Sequence, residues 1–145
     1  FVVHVNDLSE DAFYTEPMVS AGENFSVALK SDGTVWTWGE NKNGQLGNGT
    51  KGDGTSQYSP VQVVGVSGTS DSVLKNIVAV AAGDTHAVAL SVNGEVYTWG
   101  GNMYGQLGNG TSGIESASKV TKKKFMMLLN LMKIQVTIQF MRQKD

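Results

Sequence analysis

Residues 96–111 read VYTWGGNMYGQLGNGT, and residues 35–50 read VWTWGENKNGQLGNGT. The two stretches belong to a longer repeat, because residues 21–50 and 82–111 are identical at 18 of 30 positions without a gap. Sequence repeats of this kind are typical of solenoids and propellers. The repeat unit, rather than any single residue, therefore predicts the fold.

Each copy contains a predicted β-hairpin. Two short alternating segments flank Asp32-Gly33 in the first copy and Asn93-Gly94 in the second. Such dipeptides supply the positive φ angles of a two-residue turn, and counting outward from that turn pairs Leu29 with Trp36. Because strand side chains alternate between faces, the large side chains of both strands are expected on one face. That face comprises Phe25, Val27, Leu29, Trp36 and Trp38 in the first copy, and His86, Val88, Leu90, Tyr97 and Trp99 in the second.

The opposite face of each hairpin carries small residues. They are Ser26, Ala28, Val35 and Thr37 in the first copy, and Ala87, Ala89, Val96 and Thr98 in the second. A small, mostly apolar face suits a sheet packed between two others, and the pairing places Trp38 and Trp99 in the core. Further strands are predicted at residues 60–66 and 76–83. The predicted fold class is all-β, a partial β-propeller of two four-stranded antiparallel blades, with the bulky face of one blade against the small face of the next.

The ends of the chain differ from the repeats. The predicted organisation is residues 1–16 as the end of a preceding domain or a linker, 17–118 as two repeats divided into 17–78 and 79–118, and 119–145 as an atypical tail. After Gly113 there is no glycine, and four of the six methionines fall within residues 126–141. Two explanations are open: a frameshift has replaced the native continuation, or the tail is a genuine cap over the last blade.

The shared motifs resemble a known repeat. Both copies contain A-G-x-x-[HF]-x-x-A-L, then D/N-G, then V-x-x-W-G-x-N-x-x-G-Q-L-G. This pattern resembles the regulator of chromosome condensation repeat, whose founding members fold as seven-bladed propellers. The residues that carry it are Gly22, Trp38, Gly39, Gly44, Gln45, Leu46, Gly47, Gly83, His86, Trp99, Gly100, Gly105, Gln106, Leu107 and Gly108. The resemblance implies structural roles, in which the glycines turn the chain while Gln45 and Leu46 hydrogen-bond and plug the blade.

Composition argues against several classes of function. The chain has 11 basic and 13 acidic residues and a net charge of −2, so no basic patch predicts contact with nucleic acid. It has no cysteine, which excludes disulfides and thiolate ligands. The most apolar stretch, residues 125–141, is too interrupted by polar residues to predict a membrane span.

Catalytic, metal and cofactor sites are not predicted. The amide-rich loop places Gly39 and Thr50 where a calcium loop needs Asp and Glu, and it lacks the lysine of a phosphate-binding loop. His86 occupies the position that Phe25 has in the first copy, so its place does not require a titratable ring. We expect His86 to be structural and the chain not to be an enzyme, with no small-molecule substrate.

The predicted function is that of a protein–protein interaction module within a larger multidomain protein. Loop residues that differ between copies while their surroundings agree are the expected contact surface. They are Glu40, Asn41, Lys42 and Asn43 in the first copy, and Gly101, Asn102, Met103 and Tyr104 in the second. The alternative, implied by the resemblance, is guanine-nucleotide exchange on a small GTPase. That activity needs a complete ring and a wedge inserted from one blade, and neither is evident in the sequence.

The partner protein is not identified by the sequence. Two blades do not close a ring of seven, so self-association is expected if the chain is complete. The low charge and the Thr/Gly/Asn-rich composition favour a bacterial extracellular or cell-surface location over the cytoplasm.

Overall fold

The structure is a computed structural model that describes residues 13–65, 72–113 and 117–124. Strands account for all of its regular secondary structure within these ranges. The strands are β1 Met18–Ala21, β2 Phe25–Leu29, β3 Val35–Gly39, β4 Gln57–Gln62, β5 Ile77–Ala82, β6 His86–Ser91, β7 Glu95–Gly100 and β8 Ala117–Lys124.

The strands form two four-stranded antiparallel sheets in chain order. One sheet has the order β1-β2-β3-β4 and the other β5-β6-β7-β8. The described residues contain no helix that is long and apolar enough to cross a membrane. The predicted all-β class and the two four-stranded blades are therefore confirmed.

The hairpin turns are longer by one residue than predicted. In the first copy, Lys30 N donates to Thr34 O at 2.9 Å, so the loop consists of the three residues 31–33. Gly33 closes this loop with a φ of 76°, which is the left-handed position of a three-residue hairpin. The second copy has the same form, since Gly94 has a φ of 74°. The Asp-Gly and Asn-Gly pairs thus mark the turns correctly, but not their length.

Because of the extra loop residue, the predicted strand register and the predicted composition of the two faces are wrong. Leu29 pairs with Val35 instead of Trp36, and Leu90 pairs with Val96 instead of Tyr97. A shift of one residue moves every side chain of one strand to the other face. One face of each hairpin therefore carries Phe25, Val27, Leu29 and Val35, or His86, Val88, Leu90 and Val96, while the other carries Ser26, Ala28, Trp36 and Trp38, or Ala87, Ala89, Tyr97 and Trp99.

The two sheets pack face to face through a shared core. Phe25, Val27, Leu29 and Val35 of the first sheet are buried in one cluster with Ala87, Ala89, Tyr97 and Trp99 of the second. Strand β5 lies against β1 and β2, and Ala82 N donates to Ser20 Oγ at 3.0 Å across the junction. The prediction that both Trp38 and Trp99 are core residues is half right, because Trp99 is 0% exposed while Trp38 is only partly buried.

The strand bounds cross the predicted repeat boundaries. Strand β5 begins at Ile77, before the predicted division between residues 78 and 79, and β4 occupies Gln57–Gln62 rather than residues 60–66. Strand β8 pairs with β7 and extends through Lys124, into the predicted tail. The predictions for residues 1–12 and 125–145 lie outside the described residues.

Candidate functional site

The long loop after β3 is built around a buried asparagine. Asn41 is 0% exposed. Its side-chain amide donates to the hydroxyls of Thr50 and Thr55 at 3.0 and 3.1 Å, and its Oδ1 accepts from Leu46 N at 3.1 Å. A buried amide that is bonded on both its donor and its acceptor side fixes the loop in one conformation.

The loop after β7 repeats this arrangement. Asn102 is 1% exposed, donates to Thr111 O at 3.0 Å, and accepts from Leu107 N at 3.1 Å. The hydroxyl of Thr98 donates to Leu107 O at 2.8 Å, as Thr37 does to Leu46 O in the first copy at 2.7 Å. Leu46 is fully buried, which is the position that its predicted role as a plug requires.

These bonds correct part of the predicted contact surface. Asn41 and Asn102 are buried, and their side-chain amides are bonded within their own loops, so both residues hold the loops instead of presenting a side chain to a partner protein. Gly101 is also buried. The sequence contained the necessary signal, because the same asparagine stands at this position in both copies while its neighbours differ.

The motif glycines that turn these loops have the predicted conformation. Gly44, Gly47 and Gly49, with Gly105, Gly108 and Gly110, all have φ between 59° and 88°. Gln45 is 1% exposed, and its Oε1 accepts from Asn43 N at 2.8 Å. Gln106 makes the equivalent bond to Tyr104 N at 2.9 Å. The predicted hydrogen-bonding role of Gln45 is therefore confirmed.

A ring packs over a glycine in each copy. A Cβ atom at Gly83 would lie 2.2 Å from His86 Cε1, and one at Gly22 would lie 2.1 Å from Phe25 Cε1. In the A-G-x-x-[HF] motif, the ring of the last residue therefore occupies the space that a Cβ atom would need at the glycine. Glycine is the residue that leaves this space free. His86 also borders the groove described next, so it has a structural position at the edge of the candidate site.

A groove of about 570 Å³ lies where the loops of the two repeats meet. Met103 and Tyr104 line it and are 56% and 87% exposed. Glu23 and Asn43 of the first repeat border it, together with Asp84 of the second. The Glu23 N to Asp84 O hydrogen bond of 3.0 Å ties the two repeats together beside the groove.

The groove brings together only some of the predicted contact residues. Five of the eight lie in its lining, and three do not. The five are Asn43, Gly101, Asn102, Met103 and Tyr104, and the three are Glu40, Asn41 and Lys42. Sequence comparison of the copies missed Glu23 and Asp84, because they lie in the short β1–β2 and β5–β6 connections rather than in the long loops. Glu23 and Asp84 occupy the same position in the two copies and are both acidic, and this shared charge is the sequence feature that could have indicated them.

The charge of the groove is acidic. Of the described residues that line it, Glu23 and Asp84 are ionisable acids and none is lysine or arginine. No cluster of three or more possible metal ligands occurs in the part of the chain that the structure describes. The site can offer hydrogen-bond acceptors, negative charge and an exposed aromatic ring.

The fold resembles solved propellers. Human WBSCR16 matches with a TM-score of 0.62 and 24% identity, over 77% of this chain and 26% of that one. Prp20p from Saccharomyces cerevisiae matches with a TM-score of 0.58 and 20% identity, over 81% of this chain and 25% of that one. At these identities the likeness concerns the fold alone.

Sequence comparison gives closer relatives. The chain is 44% identical over 94 residues to the E3 ubiquitin-protein ligase HERC2 of Homo sapiens, which is 65% of this chain and 2% of that protein. It is 39% identical over 111 residues to the Ultraviolet-B receptor UVR8 of Arabidopsis thaliana, which is 73% of this chain and 23% of that protein. The chain thus spans less than a quarter of the length of these two relatives.

The family assignment rests on two sets of matched residues. The model of the regulator of chromosome condensation (RCC1) repeat matches residues 32–90 and 93–124. A second model of the same repeat matches residues 77–106. These matches cover both long loops, the second hairpin and both buried asparagines described above. The chain therefore belongs to the regulator of chromosome condensation (RCC1) repeat family.

Proposed function

We propose that this chain is a protein-interaction module that binds an extended basic segment of a partner protein in the groove between its two repeats. The observation that carries the proposal is the groove itself, whose lining combines the exposed Met103 and Tyr104 with the acidic Glu23 and Asp84. We propose no catalytic residue for it.

The exposed aromatic residue favours a protein partner. Tyr104 is 87% exposed beside the partly exposed Met103. Tyrosine and methionine are enriched at protein interfaces, because both bury a large area on contact at a moderate loss of side-chain freedom. Tyr104 N is already bonded to the side chain of Gln106, so the loop that presents the ring is held in place before binding.

The acidic lining favours a lysine or arginine in the bound segment. Glu23 and Asp84 are exposed and come from different repeats, which places negative charge along the junction. A basic side chain between them and Tyr104 gains both charge attraction and contact with the face of the ring. Attraction of this kind is weakened by salt, so binding should fall as ionic strength rises.

A displayed library of short random peptides tests the proposal. Selection on the 145-residue chain should enrich peptides with lysine or arginine next to an apolar residue. Tyr104→Ala and Asp84→Asn should each weaken the selected peptides about tenfold, or about 1.4 kcal/mol. Tyr58→Ala is the matched control, since Tyr58 is 99% exposed on β4 and outside the groove lining.

Two outcomes would contradict this function. One is the absence of any enriched peptide. The other is equal binding of the enriched peptides to the Tyr104→Ala variant and the native chain. Because both substitutions leave backbone hydrogen bonds unchanged, thermal unfolding should show that the variants remain folded.

The alternative, nucleotide exchange on a small GTPase, has no specific contact in the described residues that favours it over peptide binding. The two relatives are by name a ubiquitin ligase and a light receptor, and the chain matches only small parts of them. A nucleotide-release assay with small GTPases tests the alternative directly.

A further inference from the structure

Equivalent residues of the two repeats are buried to different extents. Trp99 is 0% exposed, whereas its counterpart Trp38 is partly exposed. Gly47 is buried, whereas its counterpart Gly108 is exposed. The difference arises because one face of each sheet lies in the junction and the other face of each sheet does not.

Two surfaces of the described molecule are thus left outside the junction. We call Ser26, Ala28, Trp36 and Trp38 the front face, and His86, Val88, Leu90 and Val96 the rear face. Every residue of both faces is partly exposed. The residues that correspond to them in the other repeat, Ala87, Ala89, Tyr97 and Trp99, and Phe25, Val27, Leu29 and Val35, are all buried.

The junction shows how these two surfaces fit each other. The indole Nε1 of Trp99 donates to Gln45 O at 2.9 Å across the two sheets. A Cβ atom at Gly47 would lie 2.8 Å from the Trp99 ring, so only a glycine leaves room for the indole. Val63 closes the same site from the first repeat.

The matching positions outside the junction lack these contacts. Among the described residues, a Cβ atom at Gly108 would have no heavy atom within 4 Å, although Gly108 has a φ of 61° against 59° for Gly47. The indole of Trp38 has no hydrogen-bond partner among the described residues, while Trp36 Nε1 donates to Thr34 Oγ1 at 3.1 Å. The loop that contains Gly108 therefore has the backbone conformation of the loop that holds the Trp99 indole at the junction. The front face carries the equivalent indole, that of Trp38.

We propose that the front face of one copy of this chain docks on the rear face of a second copy, with Trp38 over Gly108 and its Nε1 donating to Gln106 O. The contact repeats the junction between the two sheets of one chain, so the established interface is the template for the new one. The contact joins a front face to a rear face, so a pair of copies still has one free front face and one free rear face. Further copies can add to these faces, which generates a ring or an open filament of copies and not a symmetric dimer.

The side chains of the two faces support a second copy as the occupant. On the rear face, Val88, Leu90 and Val96 are identical to their buried counterparts Val27, Leu29 and Val35. The front face keeps Ala28 and Trp38 where the second repeat has Ala89 and Trp99. The conserved volumes allow the same interdigitation that the junction already shows.

Two glycines of the same loop provide a matched pair of variants. Gly108→Asn adds a side chain where the docked Trp38 would lie, while asparagine accepts the left-handed backbone conformation. Gly110→Asn adds the same side chain at a φ of 85°. At its counterpart Gly49, a Cβ atom would have no heavy atom of the described residues within 4 Å, even though the first repeat is packed against the second. Gly110→Asn should therefore be neutral.

Light scattering with size-exclusion chromatography over a range of concentrations tests the proposal. The mass of the native chain and of Gly110→Asn should rise with concentration, and Gly108→Asn should weaken association at least tenfold. A native chain that stays monomeric at every concentration would mean that something other than a second copy covers these faces, and would overturn the proposal. Equal behaviour of the two glycine variants would also overturn it.

A mixing experiment tests the polarity of the contact and guards against misfolding of one variant. Trp38→Ala disables the front face and leaves the rear face intact, whereas Gly108→Asn does the reverse. Each variant alone should remain a monomer, and an equimolar mixture should form a one-to-one pair that does not grow further. Failure of two folded variants to pair, as judged by circular dichroism and light scattering, would overturn the proposed contact.

Discussion

At the scale of single residues, the motif glycines serve two different physical purposes. Gly22 and Gly83 have ordinary backbone angles and are required because a ring occupies the space of a Cβ atom. Gly47 and Gly108 adopt a left-handed conformation that favours glycine. Removal of the neighbouring ring should therefore reduce the cost of a substitution at Gly22 or Gly83. It should not reduce the cost at Gly47 or Gly108, where the backbone conformation sets the need for glycine.

The Gly83–His86 contact gives the first prediction. Gly83→Ala should lower the free energy of unfolding by about 1–3 kcal/mol, because the new methyl group overlaps the imidazole. In a His86→Ala background the same change should cost much less, since the nearest atoms to the new Cβ are all from His86. Chemical denaturation of the four proteins of this double-mutant cycle measures the coupling. Additive effects would show that the ring does not set the need for glycine.

The buried asparagines give the second prediction. Asn102→Ala should lower the free energy of unfolding by about 1–3 kcal/mol, because it leaves Leu107 N and Thr111 O without their partner inside the loop. Met103→Ala, at the exposed neighbour, should change stability by less than about 0.5 kcal/mol. Urea unfolding of the two variants measures both values, and equal losses would contradict the structural role of Asn102.

At the scale of the elements, each hairpin depends on a three-residue turn. The first turn is held by Asp32, whose Oδ1 accepts from Thr34 Oγ1 at 2.6 Å and from Thr34 N at 3.0 Å. These bonds, with a smaller contribution from Lys30, lower the pKa of Asp32 from 3.8 to about 2. The second turn has Asn93 at the equivalent position, and an amide does not titrate.

The Asp32 carboxylate gives the third prediction. Because its pKa is lower in the folded chain, the stability it contributes is present above pH 3.8 and is lost as the pH falls towards about 2. Asp32→Asn should therefore differ from the native chain at neutral pH and approach it in this acidic window. The difference should be small, since the carboxylate is exposed to solvent. Thermal unfolding of both proteins across the window measures it, and a constant difference would refute the assignment.

At the scale of the whole molecule, the two repeats are joined by a continuous core and by hydrogen bonds across the junction, of which the bond from the Trp99 indole to Gln45 O lies inside the core. Trp99 is the largest fully buried side chain at this junction, and it reaches the loop of the other repeat. Removal of that bond should weaken the coupling between the sheets without changing the fold of either sheet.

The two equivalent tryptophans give the fourth prediction. Trp99→Phe should lower the free energy of unfolding by about 1 kcal/mol or more, because Gln45 O loses its donor inside the core. Trp38→Phe should cost less in the isolated chain, where the described residues offer its indole no partner. Denaturation at a concentration low enough to prevent association compares the two. A larger cost for Trp38→Phe would show that its indole is already engaged.

The sequence by itself determined the repeat, the all-β class, the four-stranded blades and the positions of the turns. These features follow from local rules, namely alternation of side chains and the preference of glycine for positive φ. The resemblance to the repeat family implied that Gln45 and Leu46 hold their loop, and alignment of the two copies showed that His86 has the place of Phe25. The sequence also shows that Asn41 and Asn102 are the same residue in both copies, but the variable residues around them predict a contact surface there instead of a buried amide.

Only the tertiary structure decided the register, the faces and the groove. Whether a turn has two or three residues depends on the twist and pairing of the strands it joins, and that choice moved Trp36 and Trp38 to the other face. The groove depends on two short connections that lie 61 residues apart in the chain, at Glu23 and Asp84. The unequal burial of Trp38 and Trp99 has the same origin, because burial is a property of what packs against a residue rather than of the residue itself.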